Sequence, residues 1–366
     1  MGFKPKENTG LRLQQQQETL FNKEQFLEDV FNDEYILVVG SEVIMNRMEE
    51  PTGDVNQYIL RSINRSLNKD YNSLNELACH SGQGIDEVRN LLNSEEDFSY
   101  DTRDMEPSLK ALMETRLFPI VLTTTFDGYL ETLMRGVWKE QLRVVNIENK
   151  QTLDELRKAL VGCRNQRRYN QPTLFYIFGK AVRDEVQKYV RTDDDAIQII
   201  EKWMLMPKED PIMKLIKDRK ILALGCKFDN WYFRFFWYIL RRDFSRFREG
   251  QVAFMLDEQD RSEDKLRAFL CSKRIYQHRD ACVFMKDITE MLTSMDENSP
   301  FYNLVVRQRR RGGIFLSYCN KDVVMATQLF FTLCRYGFNV WFDNASLRGG
   351  ETIIMRSIMP SVRLVL

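Results

Sequence analysis

Six short apolar runs recur along the first 256 residues, and their length constrains the fold more than any other feature. "YILVVG" (35–40), "FPIVLT" (118–123), "LRVVNI" (142–147), "TLFYIFG" (173–179), "KILALG" (220–225) and "VAFML" (252–256) are each five to seven residues long. Strands buried on both faces read in this way, whereas a packed helix is longer and keeps a polar stripe. "ACVFM" (281–285) has the same density and is expected to add another strand. Between the runs lie stretches with helical spacing, among them "DVNQYILRSINRSL", "PSLKALMETRL", "DDDAIQIIEKWM" and "DKLRAFLCS". Strands alternating with helices specify an α/β class: a Rossmann-like, mostly parallel sheet with helices on both faces.

An open sheet of this kind takes its ligand outside the carboxyl ends of its strands. "PIVLTTTFDGYLETL" (119–133) shows the layout, an apolar strand running into three threonines and an aspartate that opens a helix. Asp127 is placed to cap that helix, a role that alone explains an aspartate there. Glu131, one turn on, reads as a solvated face residue.

Composition excludes several function classes. Fifty-three basic residues balance 53 acidic ones, so no global charge points to nucleic acid or to a membrane surface. Seven cysteines follow no framework spacing, which fits a reducing cytosol. "MGFKPKENTG" lacks the apolar segment of a signal peptide, and Lys6 stands where a myristoylation motif needs Ser or Thr. No apolar run nears the ~18 residues of a membrane span, so a soluble, cytoplasmic protein is expected. His80 and His278 are the only histidines, neither has ligands at zinc-site spacing, and no metal is expected.

Four stretches together resemble the SIR2-like domain family. "VVGSEV" (38–43) is a strand and glycine turn; "LTTTFDGYLE" (122–131) is similar to the signature Thr-Thr-Asn-Tyr-Asp-x-x-Leu-Glu. "LFYIFGKA" (174–181) falls where the family carries Leu-His-Gly-Ser, and "LGCKFDNWYFRFF" (224–236) where it carries Leu-Gly-x-Ser-Phe-x-Asp-x-x-x-Arg-Phe. Farther on, "IFLSYCNKD" (314–322), "GFNVWFD" (337–343) and "NASLRGGE" (344–351) resemble the opening of a Toll/interleukin-1 receptor (TIR) domain. The implied organisation is a polar arm (1–20), a SIR2-like domain (21–295), a linker (296–312) holding the arginines of "VVRQRRRGG", and a truncated, flavodoxin-like TIR segment (313–366).

The resemblance implies a crevice for NAD or an ADP-ribose-like nucleotide, contacted by Gly40, Ser41, Thr124, Asp127 and Gly225. Departures from the family pattern bear on its chemistry. Glu42 follows the glycine turn, and a carboxylate ~4 Å from a diphosphate costs about 4 kcal/mol at an effective dielectric near 20. Thr125 replaces the asparagine that engages the nicotinamide ribose, offering one hydroxyl for an amide's two functions. Phe178 replaces the histidine that acts as general base, and phenylalanine accepts no proton. Lys180 is close by, and would be protonated at neutral pH. Asp229 is placed to cap the helix after Gly225, and the aromatic run "WYFRFFWYIL" reads as core. The TIR resemblance ends before the helix that carries that family's catalytic glutamate.

Three readings follow. The first is a SIR2-like/TIR signalling or antiphage-defence protein with a degenerate pocket that binds or scaffolds, self-associating through loop 344–351. The second is an NAD glycohydrolase working through Thr125, Asp127 and Lys180. The third is an interaction module with a collapsed pocket.

Overall fold

A computed structural model describes residues 23–80, 101–163, 169, 171–181, 189–190, 192–240, 251–255, 269–270, 275–294, 314–316, 318, 320–335, 338 and 340–342. Seven strands form one sheet: β1 (Tyr35–Val39), β2 (Ile120–Thr123), β3 (Arg143–Asn146), β4 (Thr173–Tyr176), β5 (Lys220–Leu224), β6 (Gln251–Met255) and β7 (Ile275–Arg279). Every pairing is parallel, and the order is β3-β4-β2-β1-β5-β6-β7. This is the Rossmann-like α/β arrangement expected. The chain leaves β1 toward β2 on one side and later returns to its other side as β5. The strand order therefore reverses at β1, and its carboxyl end is the position where an open sheet of this kind takes its ligand.

Alternation along the strands divides the core in two. Leu37, Val39, Val121, Leu174, Tyr176, Leu222 and Leu224 face the helices Lys23–Phe31, Val55–Leu67, Pro107–Glu114, Tyr129–Trp138 and Ala281–Ser294. Ile36, Val38, Ile120, Leu122, Phe175, Ile221 and Ala223 face Lys150–Gly162, Asp193–Leu205, Pro211–Lys217 and Trp231–Leu240. With both faces covered, alternate residues are all apolar, which is why the strands read as unbroken runs.

The run "ACVFM" is not a strand. It opens the helix Ala281–Ser294, where Ala281, Phe284, Met285, Ile288 and Leu292 are buried at helical spacing and Val283 is exposed. Asp280 starts it, its carboxylate accepting from the Val283 amide at 3.1 Å. The strand lies just before, in the polar "IYQHR", and pairs with β6 as the outermost strand of the sheet.

A smaller parallel pair follows, β8 (Ile314–Leu316) and β9 (Val340–Phe342), joined through the helix Val323–Arg335. Its apolar side merges with the first core: Phe330 is fully buried and lies 5.9 Å from the Phe31 ring, and the Gln328 amide donates to the Glu114 carbonyl. The expected arm (1–20), linker (296–312) and loop 344–351 lie outside the described residues, as does most of "DKLRAFLCS". Among the described residues no helix is long and apolar enough to cross a membrane.

Candidate functional site

The ends of β1, β2 and β5 converge at the reversal point, and they carry Gly40 and Ser41, Thr124 to Asp127, and Gly225. The two glycine turns lie directly against each other. Gly40 donates its amide to Leu224 O at 2.8 Å, and Glu42 donates to Gly225 O at 3.2 Å. A Cβ on Gly40 would stand 2.0 Å from the Gly225 carbonyl oxygen. Gly225 adopts φ +60, and a Cβ there would meet Val43 Cγ1 at 2.6 Å. Gly40 is thus required by a backbone-to-backbone approach, and Gly225 by its left-handed φ and its contact with Val43. Ser41 is buried beside them. Two amides of the β1 turn are spent on β5 carbonyls and cannot cradle a phosphate.

At the end of β2 the threonines turn inward. Thr123 Oγ1 donates to Val39 O at 3.2 Å and lies 3.0 Å from Thr125 Oγ1, while the Thr124 amide donates to Val39 O. Thr125, expected to stand where the family carries asparagine, is buried with its hydroxyl in this internal chain. Asp127 is fully buried; its Oδ1 accepts from the Tyr129 amide at 2.9 Å, and Tyr176 donates its hydroxyl to the Asp127 carbonyl. The capping reading therefore accounts for one carboxylate oxygen. The other, Oδ2, is buried and has no hydrogen bond among the described residues. Burial raises the Asp127 pKa to about 6, opposed by the Tyr129 amide and the Thr125 hydroxyl and aided by nearby Asp54.

Phe178 packs into the core on the face of the sheet that carries Ile36, Val38 and Phe175. It is 3% exposed and meets Tyr232, Phe236 and Phe233 edge-on at 4.9, 5.6 and 6.3 Å. Phe233, Phe236 and Trp237 are buried in the same cluster, as the core reading of "WYFRFFWYIL" anticipates. Glu131 is corrected: it is buried, not solvated. Lys180 Nζ pairs with its Oε2 at 2.6 Å and Arg135 with its Oε1 at 2.8 Å, and the Lys180 ammonium sits 5.4 Å from the Tyr176 ring. Although burial raises the Glu131 pKa, these two cations outweigh it and hold the group below its ordinary value. Lys180 is committed to this structural pair. Asp229 is also corrected: it is exposed, and the helix Trp231–Leu240 begins from Asn230, whose carbonyl accepts from Arg234.

Sequence reasoning missed the ion pair across the crevice. Lys227, two residues past Gly225, pairs with the Asp54 carboxylate, whose other oxygen caps the helix Val55–Leu67 by accepting from Asn56 at 2.9 Å. The partners are 173 residues apart, and no local spacing joins them. Glu42 stands among these charges. Burial raises its pKa to about 7; Lys227 pulls it down while Asp54 and Asp229 push it up. Among the described residues no His/Cys/Asp/Glu cluster can hold a metal. His80 ends the helix Leu74–His80 and His278 lies on the outermost strand β7, so neither is on a strand that forms the crevice.

The diphosphate of NAD does not fit these residues as they stand: two of the turn amides, those of Gly40 and Glu42, are taken, and Glu42, Asp54 and Asp229 outnumber Lys227. No curated protein matches the chain. Residues 119–276, from the start of β2 into β7, match the family model of the SIR2-like domain, and over this span the chain carries a SIR2-like domain.

Proposed function

We propose that this SIR2-like crevice binds a flat, nucleoside-like ligand without cleaving it, within a signalling or antiphage-defence protein. One observation carries the reading: Phe178 occupies the family's general-base position and is locked edge-on among three aromatic rings. The side chain neither accepts a proton nor has room to turn. Charge supports the ligand class, since a neutral nucleoside avoids Glu42 whereas ADP-ribose must approach it. Homotypic contact through residues 344–351, by resemblance to TIR association loops, belongs to the same proposal.

Calorimetric titration of the full chain with adenosine and with ADP-ribose, at pH 6 and pH 8, tests this. Adenosine binding should be indifferent to pH, and ADP-ribose should bind more weakly at pH 8, where Glu42 is ionised. Tight ADP-ribose binding that is equal at both pH values would sink the charge argument.

One observation favours catalysis instead. The unpartnered, buried Asp127 Oδ2, with a pKa near 6, has the character of a general base. An Asp127-dependent release of nicotinamide from NAD is the outcome that this second reading requires.

A further inference from the structure

Asp54 does more at this site than open a helix. Its Oδ1 accepts from the Asn56 amide at 2.9 Å and so caps Val55–Leu67. Its Oδ2 pairs with Lys227, two residues past Gly225 at the carboxyl end of β5. The capped helix follows β1 in the chain, so the pair bridges the segments that leave the two neighbouring strands β1 and β5. Lys227 keeps 29% of its side chain exposed and Asp54 only 2%. The ammonium thus reaches solvent as well as the carboxylate.

The same carboxylate is felt at the other groups of the site. Burial is the main cause of the raised pKa values of Glu42, Asp127 and Tyr232, and Asp54 adds to each of them. These groups lie after β1, after β2 and on the helix after β5. Tyr232 in turn meets Phe178 edge-on at 4.9 Å, so Asp54 stands close to the aromatic cluster too. A lysine ammonium and the first turn of a helix are two features with which folds hold phosphate. Both are present here, and one carboxylate of the chain itself fills both. A phosphate that approaches Lys227 must displace Asp54 or sit beside it with like charges together. Protonating Glu42 removes one obstacle to an anion, but it does not remove this pair.

We propose that Asp54 is a specificity-determining residue: its carboxylate takes the place of a nucleotide phosphate at Lys227 and leaves the site to neutral ligands. The inference rests on the nucleoside reading of the site and adds the group that rejects phosphate. Calorimetric titration of the 366-residue chain with adenosine and with ADP-ribose tests it at pH 6, where Glu42, raised to about 7, is mostly protonated. Asp54→Asn and Asp54→Ser both keep a side chain that caps a helix, and a cooperative thermal melt checks each fold. Each should raise the ratio of ADP-ribose affinity to adenosine affinity about tenfold or more. Asp54→Asn with Lys227→Met should lose that gain. An unchanged ratio in the folded variants overturns the proposal, and so does a gain that survives Lys227→Met. Adenosine that fails to bind the wild type counts against the nucleoside reading instead. Should ADP-ribose then bind Asp54→Asn and not the wild type, the role of Asp54 stands without that reading.

Discussion

Replacing Glu42 with glutamine should change how the stability of this protein depends on pH. The carboxyl sits between the ends of β1 and β5, facing Lys227, Asp54 and Asp229, and burial raises its pKa from 4.5 to about 7. The folded chain thus holds this proton more tightly than the unfolded chain. Stability contributed by protonated Glu42 is fully present below pH 4.5, falls as pH rises, and is gone above pH 7. At ~1.4 kcal/mol per pH unit the full difference is about 3 kcal/mol, and about 2 kcal/mol of it falls between pH 5 and pH 8 once water screening is allowed for. Asp127, raised to about 6 by its burial, acts in the same direction, but it is common to both proteins. Urea denaturation of wild type and Glu42→Gln at pH 5 and pH 8 isolates the Glu42 part. The wild type should lose about 2 kcal/mol more than the variant over that interval, a midpoint shift of roughly 1 M. Parallel losses in the two proteins would show that Glu42 is solvated and ionised in the fold, and the charge argument for the crevice would fail with it.

Gly225→Ala should cost about 2 kcal/mol or more, from ~1–2 kcal/mol for the left-handed backbone plus the clash with Val43, and a denaturation midpoint indistinguishable from wild type would contradict the turn-on-turn contact. Lys227→Met should destabilise by about 1–3 kcal/mol because it strands the buried Asp54 carboxylate, and adding Asp54→Asn should recover part of the loss. Phe330→Ala should remove about 3 kcal/mol or more from the main unfolding transition, since that ring is buried in the core of the large sheet. Residues 312–366 expressed alone should show no cooperative melt, because a segment of that size cannot bury enough surface by itself. A sharp melt of the isolated segment, or a Phe330→Ala effect limited to a minor transition, would show that the two parts fold separately.

The sheet was legible because β1, β2, β4 and β5 are buried on both faces, so an apolar run and a strand coincide there. β7 broke the rule because its residues are mostly polar; β3, on the other edge of the sheet, is legible from Val144 and Val145. "ACVFM" broke it because five apolar residues fit either a short strand or the start of a helix; the buried positions Ile288 and Leu292 farther on decide for helix. The strand ends that line the crevice were legible from topology alone. What Glu131 and Asp54 do was not, because their partners come from other strands: Lys180 follows β4 and Lys227 follows β5. Glycine turns were recognisable as close approaches, but not that the group approaching Gly40 would be the Gly225 backbone.

The most direct test of the central claim is nicotinamide release from NAD by the purified 366-residue chain. With Phe178 locked in the aromatic core and Lys180 held by Glu131, release should stay at the buffer background across pH 6 to 8. Release above background that disappears in Asp127→Ala would contradict the account, and would make the buried Asp127 carboxylate, through its Oδ2, the base of a working enzyme.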